Sequence, residues 1–252
     1  MRKRIIAGNW KMHLNHFEAV QTVRRFKNLM NEEVFQYEIV LCPSFTSLYV
    51  VSEEIKNTSI KLGAQNVFYE PEGAFTGEVS PLMLKALGCE YVIVGHSERR
   101  KYFWESDEMI AKKVIAVLDA GMTPILCVGE NLEERQKGME KDVVRRQFTA
   151  VFEGLDKEKA DKVVIAYEPV WAIGTGVNAT PEQAQEMHSF IRELFTRKYG
   201  HTEVSILYGG SVKPDNIYSL TSMPDVDGAL VGGASIKAES FYEIIKNAYI
   251  GG

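Results

Sequence analysis

Eight short apolar segments separated by longer amphipathic ones constrain the fold of this chain more than any other feature. Each apolar segment is rich in Val and Ile, and a helical pattern follows it. Near-continuous apolar strands indicate burial on both faces, which is typical of a parallel sheet covered by helices. The predicted strands are Arg4–Gly8, Glu38–Cys42, Ile60–Ala64, Tyr91–Gly95, Thr123–Val128, Val163–Tyr167, Ser205–Tyr208 and Gly228–Val231.

The spacing of these units favours a closed barrel over an open sheet. Eight strand–helix units in 252 residues come to roughly 31 residues each, which is the size of a βαβ repeat. Barrels of about 250 residues are commonly one domain, and no linker or low-complexity run divides the chain. We therefore expect an α/β fold, a closed (β/α)8 barrel of eight parallel strands surrounded by helices, with residues 1–252 as a single domain.

Two of the predicted helices carry clear start signals. The helix Phe17–Met30 is preceded by Asn15, and Glu18 is placed to complete a capping box with it. The helix Pro181–Tyr199 has Thr180 as its N-cap and a proline at its first position.

Charge and apolar patterning exclude several classes of function. A net charge of −5 argues against nucleic acid as the main partner. The apolar run after the basic segment Met1–Arg4 is too short for a signal-peptide core, and nothing approaches a membrane span. Cys42, Cys89 and Cys127 lie far apart in apolar segments. We expect them to be reduced core residues of a cytoplasmic protein.

Polar residues follow several of the predicted strands. In a (β/α)8 barrel the active site is built from the loops at the carboxyl ends of the strands. We expect five of these ends to converge on one mouth: Asn9-Trp10-Lys11, Gly95–Arg100, Glu168, Gly209-Gly210-Ser211 and Gly232-Gly233. The pair His13 and His16 lacks a third ligand nearby, so we expect no metal site there.

Glu168 ends the sixth strand and precedes a segment with the features of a lid. Pro169 restricts the backbone at one end, and Gly174 and Gly176 permit φ > 0 at the other. The apolar residues Val170–Ile173 suit a flap that closes over a site and excludes water. A carboxylate shut away from water is a stronger base. A βα loop packed on the next helix is the alternative interpretation of this segment.

His96 is a candidate hydrogen-bond donor to a substrate oxygen. Ser97 is a good N-cap, and a helical turn after it would direct backbone N–H groups at the imidazole. That arrangement disfavours the imidazolium, but a neutral imidazole still donates one N–H and can stabilise a developing oxyanion. A hydrogen-bonded core histidine is the alternative.

Lys11 and several small residues are candidates for binding an anion. Lys11 would hold a positive charge at the mouth, with Glu98 able to position it, although most lysines are solvated surface groups. Loops after the seventh and eighth strands commonly hold phosphate in barrels. Accessible backbone N–H groups are offered by Gly174, Ser211, Gly232 and Gly233.

These motifs resemble those of the triosephosphate isomerase family over essentially the whole chain. The matching segments are Ala7–Met12, Gly95–Arg100, Ala166–Gly176, Tyr208–Ser211 and Val231–Gly233. The resemblance implies a TIM-barrel isomerase of glycolysis and gluconeogenesis. Such an enzyme interconverts dihydroxyacetone phosphate and D-glyceraldehyde 3-phosphate through an enediolate, without a cofactor.

The same resemblance implies a role for each candidate residue. Glu168 would move the proton between two carbons, His96 would serve as the electrophile, and Lys11 with Asn9 would contact the substrate and support the anion. The substrate phosphate would be held by backbone N–H groups of Gly174, Ser211, Gly232 and Gly233.

The resemblance also implies a homodimer. The segment Gln65–Glu78 is similar to the family's interdigitating loop, with Thr76 near its tip. The family varies just after Met12, at His13 and Leu14, so details of the interface there are not carried over. A higher oligomer stays possible.

Two other functions are compatible with a phosphate-binding barrel. An aldolase or synthase would need a Schiff-base lysine or metal ligands at a strand end, and the candidate ends offer only Lys11 as a lysine. A barrel that had lost catalysis and serves as a binding protein should have lost Glu168 or His96, and both are present.

Overall fold

Eight strands pair in chain order and close into a barrel in the computed structural model, which describes residues 2–31, 33–173 and 179–249. All neighbouring pairs are parallel, and β1 pairs with β8 to complete the circle. The strands are β1 Ile5–Asn9, β2 Glu38–Cys42, β3 Lys61–Ala64, β4 Cys89–Val94, β5 Thr123–Val128, β6 Val164–Tyr167, β7 Ser205–Tyr208 and β8 Gly228–Val231. The predicted closed (β/α)8 barrel is confirmed.

Helices follow the strands and cover the outside of the barrel. They are α1 His16–Met30, α2 Leu48–Ile55, α3 Pro81–Ala86, α4 Ser97–Phe103, α5 Asp107–Asp119, α6 Leu132–Gln136, α7 Glu140–Phe152, α8 Lys157–Ala160, α9 Pro181–Tyr199, α10 Ile217–Thr221 and α11 Ala238–Asn247. The predicted caps are confirmed. Asn15 and Glu18 form a capping box at α1, and Thr180 caps α9 with Pro181 in the first turn.

Strand burial explains why the strands are apolar on both faces. One set of side chains fills the barrel interior, including Ile5, Val40, Ile93 and Leu207. The alternate set packs under the helices. Cys42 and Cys127 lie in the interior layer and Cys89 in the outer one, all three as free buried thiols.

Four strands have the predicted bounds, and the ends of β1, β3, β4 and β6 differ from the prediction by one or two residues. The largest difference is at β4, which begins at Cys89 and ends at Val94. Gly95 adopts a φ of 72°, a left-handed conformation that leaves the strand and turns the chain into α4. Within the described ranges, no helix is long and apolar enough to cross a membrane.

Candidate active site

Two cavities open at the carboxyl ends of the strands. One of about 590 Å³ is lined by Ser97, Gln147 and Glu168. The other, which holds most of the predicted site residues, has a volume of about 290 Å³. The ends of β1, β4, β7 and β8 contribute to its wall, and Ile173 from the predicted lid closes part of it. The predicted site residues around it are Asn9, Lys11, His96, Ser211, Gly232 and Gly233. Gly174 and Gly176 lie outside the described residues.

Glu168 lies directly after β6 and is almost fully buried, with 1% of its surface exposed. One carboxylate oxygen is 2.9 Å from His96 Nε2. Ser97 donates its amide N–H to the carboxylate at 2.9 Å and its hydroxyl at 3.1 Å. Both oxygens of the carboxylate are therefore held by β4 and the start of α4.

These contacts reverse the expected effect of burial on Glu168. Burial raises the pKa of the carboxyl group, but the charge and hydrogen bond of His96 and the two Ser97 hydrogen bonds lower it further, to below its usual value. The prediction that a buried Glu168 is a strong base is wrong for this arrangement. The carboxylate becomes a stronger base only when it leaves these donors and stays away from water.

His96 is itself the N-cap of α4. Its Nδ1 accepts the Glu98 amide N–H at 3.2 Å, so the helix does direct an N–H group at the imidazole. The prediction that Ser97 is the N-cap is wrong, because its hydroxyl is turned to Glu168 instead. A nitrogen that accepts an N–H carries no proton, which leaves the proton of the neutral ring on Nε2, facing Glu168.

Two opposing influences act on the charge of His96. Burial lowers the pKa of its imidazole, but the charge of Glu168 and the hydrogen bond to it raise the pKa, and the net direction is upward. The neutral state expected from the helix alone thus depends on the charge of Glu168. If that carboxylate is protonated or moves away, the influence that raises the pKa is lost.

Lys11 projects into the cavity from the loop after β1. Its Nζ is 2.6 Å from Glu98 Oε1, the pairing expected from the sequence. Its φ of 54° is unusual for a residue with a side chain. The strained backbone is held by Asn9 Oδ1, which accepts the Lys11 amide at 3.0 Å, and by Gln65, which donates to the Lys11 carbonyl at 2.8 Å.

Ser211, Gly232 and Gly233 form the part of the cavity wall at the carboxyl ends of β7 and β8. The first amides of a helical turn have no partner inside the turn, and such a turn starts at Gly233. The Ser211 hydroxyl donates to the carbonyl of Ala172 at 2.9 Å, so this part of the wall also contacts the predicted lid. A Cβ on Gly232 would lie 3.4 Å from Lys11 Cε, which shows how closely the two candidate anion contacts approach each other.

The start of the predicted lid is anchored by a residue that the sequence analysis did not single out. Glu130 is fully buried and accepts from the Trp171 indole N–H at 2.8 Å and from the Tyr167 hydroxyl at 3.0 Å. Its carbonyl accepts the Val170 amide at 3.1 Å. Glu130 follows β5 as Glu168 follows β6, and Gln65 follows β3 in the same way. Examining the polar residues that follow every strand would have found both Glu130 and Gln65.

Across the described ranges, no group of three or more His, Cys, Asp or Glu side chains is arranged to hold a metal ion.

A (β/α)8 barrel whose mouth pairs a buried carboxylate with an imidazole, beside a lysine, is a barrel enzyme of the acid–base class. Comparison with known proteins narrows the class. The family model described as triosephosphate isomerase matches residues 4–248. The chain belongs to the triosephosphate isomerase family.

Individual relatives match over nearly their whole length. The chain is 53% identical over 251 residues to triosephosphate isomerase of Dictyoglomus thermophilum, covering 98% of this chain and 100% of that protein. It is 52% identical over 251 residues to that of Carboxydothermus hydrogenoformans, with coverage of 98% and 100%. It is 52% identical over 248 residues to that of Endomicrobium trichonymphae, with coverage of 98% and 99%.

Proposed function

We propose that this protein interconverts dihydroxyacetone phosphate and D-glyceraldehyde 3-phosphate through an enediolate, as an isomerase of glycolysis and gluconeogenesis that needs no cofactor. The observation that carries the proposal is the buried pair of Glu168 and His96, 2.9 Å apart at the mouth of the barrel. The reaction moves one proton between adjacent carbons and one between the two substrate oxygens, so it needs a base at the carbons and a proton donor and acceptor at the oxygens.

Glu168 is the proposed base. It removes a proton from the carbon beside the substrate carbonyl, and the electron pair of the broken C–H bond forms the enediolate. It then returns a proton to the neighbouring carbon. While Ser97 donates to both of its oxygens, the carboxylate is a weak base, so the proposal requires Glu168 to give up these bonds when substrate binds.

His96 is the proposed donor to the substrate oxygens. Its Nε2–H faces the position of the carboxylate, and Glu98 holds its Nδ1 as an acceptor. When Glu168 takes the substrate proton its negative charge disappears, and the pKa of His96 falls because that charge was raising it. The imidazole then stays neutral, and its Nε2–H donates a hydrogen bond that stabilises the enediolate. The hydroxyl proton of the substrate must also pass from one oxygen to the other, and Nε2 carries it by giving its proton to one oxygen and taking the proton of the other.

Lys11 and Asn9 are the proposed electrostatic supports of the anion, and backbone amides are the proposed phosphate contacts. Lys11 Nζ, positioned by Glu98 at 2.6 Å, supplies a positive charge on one side of the cavity. Ser211, Gly232 and Gly233 would hold the phosphate at the part of the wall formed by the ends of β7 and β8. Gly174 is proposed as a further phosphate contact on the strength of the family motif alone.

Apolar groups on the loop after β3 support the proposal of a homodimer. Phe68 packs against Tyr69 and Phe75, with ring centroids 4.3 and 4.6 Å apart. Phe75 is 43% exposed, and Met12 in the loop after β1 is 94% exposed. Exposed apolar groups on a protruding loop mark a partner surface. We also propose that residues 1–252 form one domain and that the protein is cytoplasmic.

A coupled assay on the purified protein tests the proposed reaction. Dihydroxyacetone phosphate formed from D-glyceraldehyde 3-phosphate is reduced by excess glycerol-phosphate dehydrogenase, and loss of NADH absorbance is followed. We expect turnover by the parent and its near-complete loss in Glu168→Gln. A pure, folded parent without turnover would refute the proposed function.

Sedimentation at micromolar concentration tests the proposed dimer. We expect the parent to sediment as a dimer and Thr76→Arg to shift it towards monomer, because the substitution places a charge at the tip of the loop. Thr202→Arg is the matched control, since Thr202 is exposed in the loop before β7, away from this surface. A monomeric parent would show that the loop assignment is wrong.

A further inference from the structure

A buried glutamine on α7 pairs with the backbone of Gly129 as though it were part of the sheet. Gln147 is only 4% exposed. Its Oε1 accepts the Gly129 amide N–H at 2.8 Å, and its Nε2 donates to the Gly129 carbonyl at 3.2 Å. One side chain therefore satisfies both backbone polar groups of Gly129.

Gln147 supplies the hydrogen-bond partners that Gly129 lacks because the neighbouring strands have ended. The last pairing of β5 with β4 is at Leu126, and the last with β6 is at Val128. Gly129 lies beyond both, so no strand neighbour is available for its backbone groups. Buried backbone groups need partners, and the amide of Gln147 takes the place of a missing peptide.

Gly129 in turn lies against the backbone of the proposed base. A Cβ at Gly129 would lie 1.8 Å from the carbonyl oxygen of Glu168, so the two main chains are in direct contact. On either side, the Glu168 amide donates to the Val128 carbonyl at 2.8 Å and the Val170 amide to the Glu130 carbonyl at 3.1 Å. The segment 128–130 is therefore the main-chain support of Glu168.

We propose that Gln147 is a positioning residue for Glu168, acting through Gly129. This inference rests on the proposed function. Gln147 lines the cavity that Glu168 also lines, but it does not line the cavity of Lys11, Ser211 and Gly232. Its effect on catalysis comes from fixing the peptide against which the base is placed. A misplacement on the order of 1 Å at a reacting group can cost about 10²-fold in rate, so a smaller shift should cost roughly 10-fold.

The test is Gln147→Met, which keeps the approximate length of the side chain and removes both hydrogen bonds. We expect kcat to fall about 10-fold, with KM and the inhibition constant of inorganic phosphate unchanged within about twofold, because the proposed phosphate contacts line a cavity that Gln147 does not reach. A loss seen equally in KM and in phosphate binding would overturn the proposal, as would a folded variant within threefold of the parent.

The matched control is Gln185→Met. Gln185 is a glutamine on α9 that also clamps a backbone segment, accepting the Asp225 amide at 3.0 Å and donating to the Asp225 side chain at 2.6 Å. The clamped residue Asp225 lies in the loop that leads into β8, at the other end of the barrel. We expect the kcat of Gln185→Met to stay within twofold of the parent. A loss equal to that of Gln147→Met would reduce the effect of Gln147 to general packing and overturn the proposal.

A double-mutant cycle distinguishes positioning from structural damage. In a Glu168→Gln background, assayed at raised enzyme concentration, Gln147→Met should cause no further loss, because the group that Gln147 positions is gone. The same fold-loss in both backgrounds would overturn the proposal. If Gln147→Met does not fold, Gln147→Glu, which keeps the acceptor for the Gly129 amide, is taken through the same cycle with the same criteria. An inactive parent would overturn the proposed function as well, whereas an active parent with an unaffected Gln147→Met would overturn this inference alone.

Discussion

Two buried charge clusters lie at opposite ends of the barrel, and their hydrogen bonding differs. At the mouth, His96 lines one cavity and Glu168 lines a second one. At the other end, Arg192 of α9 bridges Asp225 and Asp227 in the loop that leads into β8. Arg192 and Asp227 are buried as Glu168 and His96 are, so burial alone does not tell a reactive site from a structural one.

The two clusters differ in whether every hydrogen-bonding group already has a fixed partner. Arginine has five N–H donors, and in Arg192 each of them has a partner. The two carboxylates accept at 2.5 and 2.8 Å, and the carbonyls of Thr202, Val204 and Asp225 accept at 2.8, 2.7 and 2.9 Å. No donor is left for a ligand. The carboxylate of Glu168 can exchange its partners for a substrate, because the adjoining space is open. Barrels commonly carry catalysis at the carboxyl ends of their strands and stability at the other ends.

The largest effect expected at the mouth comes from removing the lid segment. Deleting Val170–Ile173 and rejoining the chain should lower isomerisation by several powers of ten while the barrel still folds, because a surface loop buries little of the structure. The fraction of turnovers that release inorganic phosphate and methylglyoxal should rise, since the enediolate would form in an open site. Product distribution from dihydroxyacetone phosphate is the measurement, with circular dichroism as the folding control. Slow isomerisation without extra phosphate release would limit the lid to binding.

At the opposite end, Arg192→Met should act on stability and leave catalysis intact. Removing one partner of a buried ion pair costs about 3–5 kcal/mol, here because Asp225 and Asp227 lose the charge that compensates them. Urea denaturation measures the loss, and kcat per folded molecule should stay within twofold. Arg24→Met, which breaks an exposed pair with Glu54, is the control and should barely move the midpoint. A large loss of kcat in folded Arg192→Met would break the contrast between the two ends.

Shortening the side chain of Glu168 should act mainly on catalysis and less on stability. Glu168→Asp withdraws the carboxylate by one methylene, and we expect kcat to fall about 10²-fold, or about 2.7 kcal/mol. KM should change little, because the phosphate contacts survive. Steady-state kinetics and urea denaturation on the same preparation measure both quantities, and the stability loss should be smaller than in Arg192→Met. An Asp variant within threefold of the parent would remove Glu168 from its proposed role.

The smallest expected effect is the pH dependence of stability that His96 confers. Its pKa is raised in the folded protein, so its contribution is complete below the ordinary imidazole pKa of about 6.5 and is lost as pH rises through the folded value. The pKa of Glu168 is lowered, so its contribution is present above the ordinary carboxyl pKa and is lost in acid. The Tm of the parent should therefore exceed that of His96→Gln most near pH 5.5 to 6, and this difference in Tm should decline towards pH 9. Each kcal/mol of lost stability corresponds to about 2–4 °C in Tm.

His188 provides a control of opposite sign. Burial lowers its pKa to about 4, so its contribution is present above about pH 6.5 and is lost as pH falls. The advantage of the parent over His188→Gln should increase from pH 5 to pH 7 and then level off. If both variants show the same slope, the pH dependence does not come from the pairing of His96 with Glu168.

Local patterns in the sequence predicted the fold and which residues lie at the mouth of the barrel. The strands Glu38–Cys42 and Thr123–Val128 are observed with the predicted bounds, and the capping box of Asn15 and Glu18 is present. These features depend on residues within a few positions of one another. Hydrophobic periodicity and cap chemistry act over that range, so the linear sequence contains the information.

Only the tertiary structure decided how the site residues are paired. Ser97 and Glu168 are 71 positions apart and Gln147 and Gly129 are 18 apart, and no local pattern indicates either contact. Both side chains had more than one reasonable local role. Ser97 could cap a helix and Glu168 could be a desolvated base, but closure of the barrel brings the Ser97 donors to the carboxylate and lowers its pKa. The sequence determined which groups stand at the mouth, because strand ends are local features. Barrel closure decided the charge and partner of each group, because hydrogen bonds and Coulomb interactions depend on distance in space.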